Sequence, residues 1–109
     1  MSTASLPGPI QEFIDATNSG DTERFVAAFS EDAYLNDWGR EFSGRDGVRS
    51  WDRTDNIGKQ THFEVVAIAP GAQDGSYAVT VNVTGNGFNG TGPLDFVVRD
   101  GSIAELRIS

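Results

Sequence analysis

Asp37 is the residue of this 109-residue chain whose type and position best suit proton transfer. It closes a short predicted strand, Ala33 to Asp37, and stands beside Trp38-Gly39, a turn carrying a large aromatic side chain. A carboxylate among apolar walls can take a proton from a carbon acid and return it elsewhere. The same residue has two structural uses: capping that turn, or pairing with Arg40. His62, the only histidine, is the second catalytic candidate. Glu64 follows it on the same strand face, and a His–carboxylate pair can act as a general base near neutral pH. Phe63 and Val65 occupy the other face, so the simpler reading turns His62 and Glu64 outward, into a surface or dimer contact.

Trp38, Arg40, Trp51 and Phe88 are the candidate substrate-binding residues. Trp51 serves equally as pocket wall or ordinary core. Asp52 and Asp55 share its helix and are expected on the surface. Asn82, with Thr80 and Thr84, lies opposite a valine-rich face and is assigned to the outside of its strand. Asp95 alternates against Leu94 and Phe96 and is assigned outward too.

Other chemistries find no support. The chain has no cysteine, which removes disulfides, thiolate ligands and a thiol nucleophile. One histidine among scattered acids does not make a metal site. No glycine-rich loop follows a strand and opens a helix, so nothing points to a nucleotide or other cofactor. The net charge of −8 repels a phosphate backbone, and no nucleic acid partner is expected. No apolar run approaches the roughly 20 residues of a membrane span. Met1-Ser-Thr-Ala-Ser5 lacks the pattern of a signal peptide, so the expected compartment is cytoplasmic, and the sequons Asn82-Val-Thr84 and Asn89-Gly-Thr91 read as accidental.

The elements that must position these residues follow from spacing. Residues 1–7 are small and polar and are expected to be frayed; residues 8–109 make one domain. Pro9 opens a helix whose stripe is Ile10, Phe13 and Ile14, and Gly20 closes it. Asp21 caps a second helix with Phe25, Val26 and Phe29 inside, ended by Ser30-Glu-Asp32. Short strands at Ala33–Asp37 and Arg40–Phe42 precede a third helix, which starts at the box-like Ser43-Gly-Arg-Asp46 and carries Val48 and Trp51 inward. Lys59 to Ala69 is strand-like. Ser76 to Thr84 alternates Tyr77, Val79, Val81 and Val83 against polar neighbours. Gly85-Asn-Gly87 and Gly90-Thr-Gly92 suggest a bulge or bend around Phe88, and a hairpin at Asp100-Gly101 joins strands Leu94–Arg99 and Ser102–Ile108. Helices first and antiparallel strands after them give an α+β domain with helices over one sheet face.

That order resembles the nuclear-transport-factor-2-like superfamily, and the residues carry the likeness into its SnoaL-like branch. Ala16-Thr-Asn-Ser-Gly-Asp21 followed by Phe25 and Ala28-Phe29 is similar to the family's first helix turn, and Glu31-Asp32-Ala33 to its strand entry. Asn36-Asp37-Trp-Gly-Arg-Glu-Phe-Ser-Gly44 with Val48-Arg-Ser-Trp51 resembles its strand, glycine and Trp-bearing helix. Gly85-Asn-Gly-Phe88-Asn-Gly90 and Gly101-Ser-Ile103-Ala-Glu-Leu106-Arg-Ile108 resemble its last strands.

The resemblance implies a cone: three N-terminal helices on a curved, mostly antiparallel sheet, enclosing a pocket for an apolar small molecule. It places an acid near that pocket at Asp37, and implies a homodimer through the outer sheet face. Family activities include polyketide cyclisation, ketosteroid isomerisation and epoxide hydrolysis, all without a cofactor, alongside members with no known reaction. Two functions therefore stand. One is acid–base chemistry by Asp37 on an apolar substrate, as in a cyclase, isomerase or hydrolase. The alternative is a non-catalytic ligand- or partner-binding domain. An isomerase site of the ketosteroid kind needs tyrosine and a neutral acid as oxyanion donors, and nothing ties Tyr34 or Tyr77 to Asp37. An epoxide-hydrolase set of Asp, Arg and Asp would draw on Asp37, Arg40 or Arg53, and Asp52, which the spacing does not demand.

Overall fold

The computed structural model describes residues 6–108. The frayed segment expected for residues 1–7 thus lies mostly outside the described residues; Leu6, within them, packs against the core.

Helix α1 spans Gly8–Ser19 with Pro9 in its first turn and buries Ile10, Phe13, Ile14, Ala16 and Thr17. It ends as its glycine predicts. Gly20 adopts φ 73°, which lets its N–H reach the Thr17 carbonyl while the Asp21 N–H reaches that of Ala16. Asp21 then caps α2, Thr22–Ala27, by accepting the Arg24 backbone N–H at 3.2 Å.

Here the structure departs from the expected boundary. Phe29, Ser30, Glu31 and Asp32 do not finish a helix; they open strand β1, Phe29–Asp37. The cause is non-local. The Ile103 N–H donates to the Ala28 carbonyl, and Phe29 pairs in parallel with Ile103, so a strand distant in sequence captures the chain. Strand β2, Arg40–Ser43, and helix α3, Gly44–Asp55, fall where their spacing puts them. The capping box at the start of α3 does not form: Ser43 stands at the cap position but its side chain makes no capping bond. After α3 comes a single 3-10 turn, Ile57–Lys59, so the strand expected from Lys59 starts only at His62. Strands β3 (His62–Pro70), β4 (Ser76–Thr84), β5 (Gly90–Arg99) and β6 (Ser102–Ile108) follow. Strand β5 starts earlier than expected and absorbs Gly90-Thr-Gly92.

The six strands form one open, curved sheet in the order β2-β1-β6-β5-β4-β3. It is mixed: β1 and β6 run parallel and every other pair is antiparallel. Register irregularities occur at Phe29/Tyr34, Val65/Ala67 and Val97/Val98. Of the bulge or bend expected around Phe88, the bend forms, at residues 85–87 between β4 and β5. Helix α1 lies over β3 and β6, α3 over β1 and β2, and α2 packs between the other two helices. The edge strand β3 is partly tied off by α1. Asn18 accepts the Phe63 N–H at 2.8 Å and donates to the Phe63 carbonyl at 2.9 Å, filling an otherwise open stretch of edge. Among the described residues no helix is long and apolar enough to cross a membrane.

The core centres on Phe13. Its ring lies 5.1 Å from Phe25, 6.1 Å from Phe29, 5.4 Å from Phe63 and 5.1 Å from Phe96, distances at which aromatic pairs attract beyond their buried area. Phe25 continues the cluster to Trp51 at 6.0 Å. The space between helices and sheet is filled at this end. Beyond Phe63 and Trp51 it is not.

Candidate functional site

Past those two rings lies a cavity of about 490 Å³. Its walls come from the inward rows of β4 and β5, including Val81, Val83 and Leu94, together with Phe63, Trp51 and Ile108. Such a space, mostly apolar with a few polar groups, is the usual form of a small-molecule site.

Asp37 reaches it by strand alternation. Ala33 and Leu35 point into the core, so Asp37 takes the same face at the strand's end, where core gives way to cavity. The chain then reverses within two residues. Trp38 has φ 54° and Gly39 φ 90°, the signs of the tight hairpin turn whose twist suits paired strands. Asn36 Oδ1 accepts the Gly39 N–H at 2.9 Å, so the neighbour of Asp37 braces the turn and leaves the Asp37 carboxylate free of it. The reversal sets Arg40 directly across from Asp37.

A cluster of five hydrogen-bonded side chains forms as a result. Asp37 Oδ2 accepts from Arg40 at 2.6 Å and from the Trp51 indole N–H at 3.0 Å. Arg40 also donates to both oxygens of Asp55, at 2.9 and 3.4 Å. Thr54 completes the cluster with a 2.7 Å bond to Asp55. The side chain of Asp37 is only 16% exposed, and no donor among the described residues reaches its Oδ1. Arg40 is pushed above the usual guanidinium range by its hydrogen bond to Asp55 first and to Asp37 second, so its charge is permanent. For Asp55, burial pulls the pKa up, but the bonds from Arg40 and Thr54 outweigh it and the carboxyl stays below its ordinary value.

The other candidates separate into two groups. Trp51 is both core and cavity wall, 4% exposed. Trp38 and Phe88 line the cavity at its rim but are 76% and 65% exposed, so they border the mouth and are not part of the enclosed wall. His62 does not join the site. With Phe63 directed inward, His62 and Glu64 fall on the outer side of β3, both exposed and away from the cavity lining. Its candidacy as a base is thereby corrected in favour of the outward placement. Asn82 also lies outside the lining, its Oδ1 accepting the Thr91 hydroxyl at 2.9 Å, and Asp95 is exposed. Tyr34 holds Glu41 at 2.6 Å, and neither Tyr34 nor Tyr77 lines the cavity.

The SnoaL-like domain model matches residues 10–106. The chain belongs to the SnoaL-like family. No curated protein matches it. Its structure is similar to that of a candidate polyketide cyclase from Sinorhizobium meliloti, with TM-score 0.85 and 24% identity over 95% of each chain. A nuclear-transport-factor-2-like protein of unknown function from Cytophaga hutchinsonii gives TM-score 0.79 at 15% identity, covering 100% of this chain and 93% of that one. The Δ5-3-ketosteroid isomerase of a Mycobacterium species gives 0.75 at 20% identity, covering 91% and 87%. At these identities the likeness is one of fold.

Within this SnoaL-like chain, several residues of the site escaped the sequence reading. Asp55, Asn56, Lys59 and Thr61 all line the cavity. Asp52, expected on the surface, is fully buried between the helices. It accepts from Thr22 at 3.0 Å, from Asn56 at 3.0 Å and from the Ile57 N–H at 3.4 Å. Burial raises its pKa, and those hydrogen bonds offset the rise only in part. A signal was present: Val48, Trp51, Asp52 and Asp55 stand at i, i+3, i+4 and i+7, one stripe of α3. Asn56 also donates to Thr17 at 2.9 Å, while its own Oδ1 is buried without a hydrogen-bond partner. Among the described residues no three His, Asp or Glu side chains converge to hold a metal ion.

Proposed function

We propose that this protein binds an apolar small molecule in the cavity and moves a proton on it, with Asp37 as the base, in the manner of an isomerase or cyclase. The observation that carries this reading is the uneven bonding of Asp37. One oxygen is held by Arg40 and Trp51, and the other has no partner among the described residues at the edge of an apolar space. A group so held has a fixed orientation and a free lone pair, which general-base catalysis needs. Asp37 Oδ1 takes the proton from a carbon beside a carbonyl. The resulting enolate either regains that proton at another carbon, which is isomerisation, or attacks a second carbonyl carbon and closes a ring, the alkoxide so formed taking the proton back from Asp37. Trp51 and Arg40 keep the carboxylate in place through both steps. Trp38 and Phe88 cover the exposed side of the substrate.

A hydrolase of the epoxide kind is the second reading, because Asp37, Arg40 and Asp55 do form a continuous acid–arginine–acid set, with Asp55 where Asp52 was considered. It requires one of the two acids to hold a proton. Asp55 is depressed below its ordinary value and bonded to a permanent cation, which favours the isomerase or cyclase reading over this one.

The names of the fold relatives suggest the first assay: conversion of a Δ5-3-ketosteroid to its conjugated isomer, followed by the absorbance of the enone. Turnover lost on Asp37→Asn, with binding retained, supports the base. Saturable binding without turnover in the unaltered protein would replace the enzyme with the non-catalytic ligand-binding alternative.

A further inference from the structure

The cavity holds a second charged feature, apart from the acid–arginine cluster. Lys59 is the only lysine of the chain, and it lines the cavity. Five arginines (Arg24, Arg40, Arg49, Arg99 and Arg107) each have a carboxylate within 4 Å. Lys59 has none among the described residues, and its ammonium makes no hydrogen bond there. Arg45 and Arg53 also lack a carboxylate partner among the described residues, but neither lines this cavity. In a protein of net charge −8, a cation left without a carboxylate partner beside an apolar space is an exception.

The fold goes to some length to put it there. Gly58 lies so close to the last turn of α3 that a Cβ would sit 1.5 Å from the Arg53 carbonyl oxygen; only glycine allows the 3-10 turn to close this tightly. The Lys59 N–H donates to the Asn56 carbonyl at 2.9 Å, and its own carbonyl accepts the Asn86 N–H at 2.8 Å. The aliphatic stem runs along the β4–β5 loop, its Cγ 3.5 Å from where a Cβ of Gly87 would be. The backbone is thus held from both sides, while the side chain is exposed at the rim with its ammonium free. The remaining charges of the lining, Asp37, Arg40 and Asp55, are bonded to one another.

We infer that the ligand is an amphipathic organic anion: an apolar body fills the cavity and a carboxylate or similar oxo-acid group pairs with Lys59 at its rim. This inference rests on the cavity being the ligand site proposed above, and it adds the chemical class of the ligand. The charge of Lys59 helps to hold Asp55 below its ordinary pKa, but no bond among the described residues uses its ammonium, and an anion gains there a charge-assisted contact whose cation is already placed. With a net charge of −8 the protein as a whole does not attract an anion, so recognition falls to that one contact.

Two fluorescent probes that differ by one sulfonate test this: 1-anilinonaphthalene-8-sulfonate and the neutral N-phenyl-1-naphthylamine. Titrations would use the unaltered protein, Lys59→Gln, and Arg53→Gln as a control for overall charge. Lys59→Gln should weaken the sulfonate about two- to fivefold, the size expected for a partly exposed ion pair. It should leave the neutral probe unchanged, and Arg53→Gln should change neither. Equal losses with both lysine and arginine variants, or a loss shared by both probes, would overturn the inference and leave the cavity as a site for neutral molecules. Binding of neither probe to the unaltered protein would overturn the inference and the ligand-site reading together.

Discussion

Helix α3 carries two aspartates three residues apart, and the fold gives them opposite work. Asp52 faces the helices. Both of its oxygens accept from neutral donors, solvent does not reach it, and burial raises its pKa. Asp55 faces the cavity mouth, pairs with Arg40 and is depressed. Asp37 joins the second group but keeps one oxygen free. A buried carboxylate whose bonds are all met by neighbours serves the architecture. One that a cation and an indole hold by a single oxygen is oriented and still able to react. Partner type and the unused lone pair separate structure from chemistry, and depth of burial does not.

The sharpest test of that contrast sets Asp37→Asn against Asp52→Asn. Asp37→Asn should lower turnover by about 10²- to 10⁴-fold, the usual worth of a general base, with little change in thermal midpoint. Asp52→Asn should leave turnover near that of the unaltered protein. Equal losses would erase the distinction.

Stability should answer the other way. Asp52→Ala strips partners from Thr22, Asn56 and Ile57 at once and should cost about 1–3 kcal/mol by urea denaturation, the penalty of buried donors left unmet. Asp52→Asn keeps an acceptor for Asn56 and Ile57 and should cost less.

Acidity sharpens the comparison further. Between the ordinary carboxylate value, about 3.9, and the raised folded value of Asp52, the native state holds a proton that the unfolded chain has lost. Asp52 therefore subtracts stability as pH rises through that window, and the loss is constant above it. Asp55, depressed in the fold, has the opposite sign: it contributes stability above the unfolded value and loses it as pH falls through the folded one. Urea midpoints measured from pH 3 to 7 should show Asp52→Asn gaining on the unaltered protein as pH rises. Asp55→Asn should lose ground over the same range.

At the mouth the effects are smaller. Asp55→Asn frees Arg40 from its second acid and should reduce turnover about two- to fivefold, as for a partly exposed ion pair. Trp38 is a tryptophan in a left-handed conformation, which costs about 1 kcal/mol relative to a residue that tolerates it. Trp38→Asn should raise the thermal midpoint slightly while weakening ligand binding, and a gain in both would show that the aromatic ring has no part in the site.

Much of the frame was legible from local pattern. The α1 stripe with its glycine stop, the Asp21 cap and the alternation of β4 each need only neighbours within a few residues, and each appears as its spacing requires. The segment Ser30–Asp32 was misread because polar residues after a short helix look like its end, while parallel pairing with β6 decides otherwise. His62 faces outward by the same alternation that sends Phe63 in, so its placement away from the cavity was legible in its own strand. Asp52 was misread because a charge on a helix is ordinarily solvated; hydrogen bonds from Thr22 on α2 and from Asn56 make its burial tolerable.

Sequence alone determined the order of elements, the inward rows of the strands and the acid at the end of β1, since period and turn chemistry are local properties of the chain. Tertiary structure decided which acids meet which cations. Asp37, Arg40, Trp51 and Asp55 come from β1, β2 and α3, and Lys59 follows the tight turn at Gly58. Their convergence depends on how α3 crosses the sheet and how closely one turn packs on another, and such distances are set by packing between elements that no local spacing encodes.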